Sequence, residues 1–171
     1  MTRALVVSLV SLAVAVLALL TALVAVFTPP IPTRESRAIE RHDRVQEDEA
    51  TLLDHMVLMQ RYVEKAVLAS EAGNWPLTQF YADKIDERAQ RVIEGGYVVD
   101  GIDVSAIAAE VADPRAAALA AAAATRDADR FAQAYDEMVV GCNACHIRSG
   151  YGIVRIVRPD ASRYPSQVFS E

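Results

Sequence analysis

The chain has 171 residues and a formal net charge of −6, with 53% hydrophobic residues and only 6% aromatic. That length holds one domain of ordinary size with some extra segments, and an alanine-rich, aromatic-poor composition favours helices over sheets. The acidic balance offers no overall basic face, which excludes nucleic acid as an expected partner.

The first element is apolar. From Ala4 to Phe27 the chain reads "ALVVSLVSLAVAVLALLTALVAVF", without one charged residue. A helix of that length crosses about 30 Å of hydrocarbon. A cleaved signal peptide has a shorter core, roughly 7–15 apolar residues, ending at a small-residue cleavage site. Here the run passes straight into "TPPIP". Residues 1–28 are therefore read as an uncleaved transmembrane signal anchor, with a long cleaved signal peptide as the competing reading. Charge does not orient it well. Arg3 stands before the run and Arg34, Arg37, Arg41 and Arg44 after it, so a count of Lys and Arg mildly favours placing the bulk of the chain inside.

Residues 29–46 follow as a juxtamembrane linker, stiff where prolines crowd "TPPIPTR" and charged beyond it. From about Glu35 to Ala72 there is neither Gly nor Pro. Leu52, Leu53, Met56, Met59, Val63, Ala66 and Val67 recur there at steps of three and four, the apolar face of a first helix. "GNWP" at 73–76 breaks it, with Gly73 suited to a helix end and Pro76 to the first turn of the next. A second helix is expected from Pro76 to Glu94, with Phe80, Ala82, Ile85, Ala89, Val92 and Ile93 on its inner side.

"GGYVVDGIDVSAI" reads as a looped crossover with a short helical turn at its end. Asp113 and Pro114 then start a third helix, Asp113 capping free amides and Pro114 at the first helical position, and an alanine run carries it to Ala124. Thr125 or Asp127 caps a fourth helix reaching about Ser149. The expected fold class is all-α: an antiparallel four-helix bundle over 47–152, preceded by one transmembrane helix. Residues 153–171, with Pro159 and Pro165, are expected to lie extended over the bundle.

The last helix carries "VVGCNACHIR", which holds the only two cysteines, Cys142 and Cys145, with His146 directly after. A structural zinc site wants four Cys or His ligands, usually as two pairs, and the other histidines, His42 and His55, form no such pair. A redox C-x-x-C sits at a helix N-terminus, where the dipole lowers a thiol pKa; this one lies near a C-terminus, where the dipole raises it. A disulfide between residues three apart on a helix is geometrically poor. C-x-x-C-H is the attachment motif of c-type haem, and it outweighs these readings. Two thiols on one helical turn match the two vinyl groups on one porphyrin edge, and the next imidazole binds the iron.

One covalently attached haem c is thus the expected cofactor, held by Cys142, Cys145 and His146. Stepping back along the helix by threes and fours gives Met138, Tyr135 and Phe131, expected as haem wall and equally well explained as ordinary core. Covalent haem attachment takes place outside the bacterial cytoplasm. This orients the chain as a single-pass protein of the bacterial inner membrane, with the haem domain in the periplasm.

A helical bundle with "CNACH" in its last helix and a "GNWP" break between earlier ones resembles the cytochrome c prime and c556-type monohaem cytochromes. The resemblance covers about Glu47 to Gly150. It implies thioethers at Cys142 and Cys145, a proximal ligand at His146, and a sixth position either open to small gases or filled by a methionine of the first helix. Three departures stand out. Gly150 occupies the place where the family carries a basic residue; the chain continues through 171; and soluble members lack a membrane span.

By spacing, the family's methionine falls near Val57, which cannot ligate. The candidates for the sixth ligand are therefore Met56, then Met59, then His55, with core filler as the plain alternative for the methionines. The expected function is single-electron transfer by a membrane-tethered cytochrome, not an enzyme, with the lipid bilayer and a membrane or periplasmic redox protein as partners. The alternatives are a five-coordinate haem protein binding nitric oxide or carbon monoxide, and a fixed subunit of a photosynthetic or respiratory membrane complex. The tail is expected to be a packed arm, a shield for the haem edge or a docking element.

Overall fold

The computed structural model describes residues 33–170, so the expected membrane span at 1–28 lies outside the described residues. Within them no helix is long and apolar enough to cross a membrane. The chain divides into two units, Met1–His42 and Asp43–Glu171. Of the first, the described part belongs to the start of a helix. The second carries the core and the cysteine motif.

The fold is all-α, apart from one minimal hairpin. In chain order the elements are α1 (Arg34–Glu71), α2 (Trp75–Glu94), β1 (Val98–Val99), β2 (Ile102–Asp103), α3 (Val104–Val111), α4 (Asp113–Thr125) and α5 (Ala128–Arg148). The periodic positions of α1 meet the core as expected: Leu52, Met59, Val63, Ala66 and Val67 are buried. Leu53, expected among them, is instead exposed.

The "GNWP" break works through local hydrogen bonds. Gly73 takes φ +75°, a left-handed conformation that glycine adopts without steric cost. The Gly73 amide then donates to Ser70 and the Asn74 amide to Ala69, satisfying the last carbonyls of α1. Asn74 in turn caps α2, its side-chain oxygen accepting from the Leu77 amide at 3.0 Å.

The inner face of α2 is Tyr81, Ala82, Ile85, Ala89 and Val92. Phe80 departs from the expectation: it points outward and packs edge-on against Tyr81. One step of helix is about 100° of rotation, and it is Tyr81 that occupies the core face.

The expected crossover is more ordered than a loop. Val98 pairs with Asp103 and Val99 with Ile102, antiparallel, around Asp100 and Gly101. Both turn residues have positive φ, 51° and 81°, the geometry that Asp-Gly favours in two-residue hairpins. Buried Ser105 locks the hairpin to α2, accepting from the Tyr97 amide at 2.7 Å and donating to the Val92 carbonyl at 2.5 Å. The expected helical turn is the eight-residue α3, capped by Asp103. The fifth helix is thus an addition to the four expected.

Asp113 does not cap α4; its carboxylate accepts a hydrogen bond from Gln90 of α2 instead. Asp127, not Thr125, caps α5, accepting from the Arg130 amide at 3.0 Å. The alanine face of α4 lets it lie close to α2 and α5, with Ala116, Leu119, Ala122 and Ala123 buried. At Gly141 of α5 a Cβ would stand 3.0 Å from the Val111 carbonyl oxygen, so this glycine permits the close approach of α3.

Residues 149–170 form no further helix or strand. They return along the outside of the core and are held at several points. Ile156 and Phe169 are buried, Tyr164 donates to Glu64, and Arg158 pairs with both Glu71 and Asp136.

Candidate functional site

Cys142, Cys145 and His146 occupy the last two turns of α5. All three border one cleft of about 760 Å³, its mouth open to solvent included. Helix α1 contributes Met56, Val57, Met59 and Val63 to the lining, α2 contributes Ala89 and Val92, and α3 contributes Ala108. The tail closes a further side with Val154 and Ile156. The exposed apolar residues Leu53 and Val57 also belong to this lining, which accounts for their lack of core contact.

Both cysteines are free. Burial pushes the Cys142 thiol up to about 12, with the neighbouring Cys145 adding to the rise. Burial likewise raises Cys145, against a weaker opposing contact from Ser149. Thiols held protonated in apolar surroundings are poor redox nucleophiles and poor zinc ligands. Among the described residues no group of three or more His, Cys, Asp or Glu is placed to hold a metal ion.

The imidazole of His146 is held differently. Its Nδ1 lies 2.8 Å from the carbonyl oxygen of Val154. A carbonyl only accepts, so Nδ1 carries a proton, and in the neutral ring Nε2 keeps its lone pair. The chain itself thus fixes the ring through Nδ1 and leaves Nε2 as the nitrogen not engaged by Val154.

No family model, curated protein or solved structure matches the chain. The site therefore rests on its own geometry.

His55 has the opposite arrangement. Its Nδ1 stands 3.3 Å from Nη1 of Arg88, and a guanidinium only donates. Nδ1 therefore accepts, and Nε2 carries the proton in the neutral ring. Burial, reinforced by the Arg88 charge, lowers the His55 pKa and keeps it neutral. Its ring packs near Tyr97, and it is not part of the cleft lining.

The two methionines both reach the cleft but differ in support. Met59 is buried in the apolar core, whereas Met56 is only partly buried and packs on that core's edge. Nothing in their spacing distinguishes them, because three residues apart is one face of a helix.

Phe131, Tyr135 and Met138 are fully buried, as the periodicity indicated, but they do not line the cleft. For Phe131 and Tyr135 the reason is length along the axis. Phe131 is eleven positions before Cys142, about 16 Å at 1.5 Å per residue. It packs edge-on to Trp75, with ring centroids 6.3 Å apart. Tyr135 lies under the Arg158 guanidinium, 4.8 Å from its ring centroid. The wall residues that spacing along α5 did not reach come from α2, α3 and the tail.

Gly150 has φ +83° and ends α5. Its amide donates to Ile147 at 3.2 Å and the Tyr151 amide donates to His146 at 2.7 Å, a left-handed helix end of the kind glycine favours. This turn sends the chain back over the cleft, so the glycine at this position has a structural reason.

Proposed function

We propose that this chain is a monohaem c-type cytochrome that transfers single electrons, its haem joined to Cys142 and Cys145 and ligated by His146. The observation that carries this reading is the His146 imidazole, held through Nδ1 by the Val154 carbonyl, beside both cysteine thiols on one largely apolar cleft. The arrangement suits a haem and suits zinc or thiol redox chemistry poorly. Helices α1, α2, α4 and α5 would be the four members of an antiparallel bundle of the cytochrome c prime kind.

Bound there, haem iron supplies one-electron exchange between its ferric and ferrous states. The chain's part is to hold, to shield and to tune. The lining of Val63, Ala89, Val92 and Ala108 excludes water from the site and lowers its dielectric. Met56 would be the sixth ligand, because a partly buried side chain at the core's edge is freer to reorient than core-packed Met59. Two methionines lining the same cleft as His146 favour a filled sixth position over the gas-binding alternative.

The run Ala4–Phe27 would tether the protein to the inner membrane, with the haem domain in the periplasm, so that a membrane redox partner meets it at high effective concentration. Expression with a c-type haem attachment system tests the reading. The purified chain is expected to give a c-type pyridine haemochrome that survives acid-acetone extraction, and Cys142→Ala with Cys145→Ala to lose it. A wild-type chain without covalent haem under those conditions would sink the proposal.

A further inference from the structure

The tail is tied to the cysteine motif at a second point. Asn143, the first residue between the two cysteines, holds both backbone groups of Ile156. Its Nδ2 donates to the Ile156 carbonyl at 2.9 Å, and its Oδ1 accepts from the Ile156 amide at 2.8 Å. Ile156 lies two residues beyond Val154, whose carbonyl accepts the hydrogen bond from His146 Nδ1. Asn143 and His146 are three residues apart on α5, so they share one face. The extended segment from Val154 to Ile156 therefore bridges that face, bonded to the imidazole at one end and to the amide at the other. Arg158, between Glu71 and Asp136, anchors the segment just beyond.

We propose that residues 154–156 are a positioning strap for the His146 imidazole and that Asn143 is its clasp. The proposal rests on the cytochrome reading for its redox consequence. Nothing in C-x-x-C-H requires an asparagine at position 143; the partner of this side chain is the tail. By holding the strap, Asn143 keeps the Val154 carbonyl in reach of Nδ1. A hydrogen bond there raises the basicity of the ligating nitrogen and favours the ferric state. Asn143 is a positioning residue: it acts on the iron through the strap and the imidazole.

The test uses the full-length, haem-loaded chain and compares wild type with Asn143→Ala, Asn143→Asp and Ile156→Pro. Asn143→Ala removes the clasp, and Ile156→Pro removes the amide it binds. Asn143→Asp keeps the acceptor for that amide. Expected are an unchanged pyridine haemochrome, a higher midpoint potential in Asn143→Ala and Ile156→Pro, and a smaller rise in Asn143→Asp. The double variant should shift the potential no further than the larger single one. Amide exchange at Ile156 should speed up about tenfold in Asn143→Ala, as loss of roughly one net hydrogen bond implies. A potential equal to wild type in Asn143→Ala, with exchange at Ile156 accelerated, overturns the positioning role. A wild-type chain that binds no haem overturns the cytochrome reading instead. The strap is then judged by nitrogen-15 NMR of His146 in the haem-free chain. It stands if the Nδ1-protonated ring of wild type shifts toward the Nε2-protonated form in Asn143→Ala, and it falls if the ring does not change.

Discussion

The His146 Nδ1 and the Val154 carbonyl oxygen lie 2.8 Å apart, eight residues from each other across a reversal of the chain. This contact gives the histidine of the sequence motif a defined neutral tautomer. It also makes the helix end at Gly150 part of the site, since the chain must reverse there to bring Val154 back.

The two methionines are separable by experiment. On the cytochrome reading, Met56→Ala is expected to convert a low-spin haem to high-spin and to open the iron to carbon monoxide. Met59→Ala is expected to leave the spin state alone and to cost stability, about 2–5 kcal/mol for a buried methionine cut to alanine. Optical spectra and chemical denaturation of the two variants read this out. The reverse pattern would assign Met59 as the ligand.

Gly150→Ala places a side chain at φ +83°. There is room for it, with Ile102 Cδ1 3.8 Å from the new Cβ, so the cost is conformational. About 1–2 kcal/mol is expected from the left-handed backbone, seen as a lower Tm and faster proteolysis after residue 150. Gly150→Asn should lose less, because asparagine tolerates this region better. Equal losses in both variants would point to packing instead of backbone strain.

Gly141→Ala acts by crowding. Alanine gains about 1 kcal/mol of helix propensity over glycine. Against this, the new Cβ would stand 3.0 Å from the Val111 carbonyl oxygen and against the Arg115 side chain. The arginine can swing aside, but the backbone oxygen moves only with α3. Overpacking of about 1–3 kcal/mol is expected to outweigh the gain. Thermal unfolding should show a net loss, and a variant more stable than wild type would refute the close approach of α3 and α5.

Asp86 gives a pH dependence. Burial raises its carboxyl pKa above 3.8, and the charges of Asp113 and Asp83 add to the rise. Its Oδ1 is buried without a hydrogen-bond partner among the described residues. The folded chain therefore binds this proton more tightly than the unfolded chain. The resulting stability is present below the unfolded pKa and is lost as pH rises through the folded one. At pH 7 the ionised carboxylate is a net cost, so Asp86→Asn is expected to raise Tm there and to lose its advantage below about pH 4. Equal Tm for the two proteins at pH 7 would count against the burial argument.

Most of the helices were legible in the sequence because their signals are local. Gly73, Asn74 and Pro76 end one helix and start the next through bonds within a few residues. The buried stripe of Phe131, Tyr135 and Met138 follows from helical period alone. Asp100-Gly101 carried the hairpin signal too, flanked by apolar pairs, but two-residue strands are too short for alternation to announce them.

By itself the sequence determined which residues form one side of the site: Cys142, Cys145 and His146 are neighbours on one helical turn, and their spacing is set by covalent connection. Only the tertiary structure decided what surrounds them. It turned Phe131 and Tyr135 away from the cleft, tied His55 to Arg88 with the wrong nitrogen protonated for an Nε2 ligand, and set Met56 and Met59 on the wall. It also drew Val154 and Ile156 back over His146 and Asn143. Each of these outcomes depends on contacts between different elements or across a chain reversal, and the helical period of one segment holds no record of its neighbour.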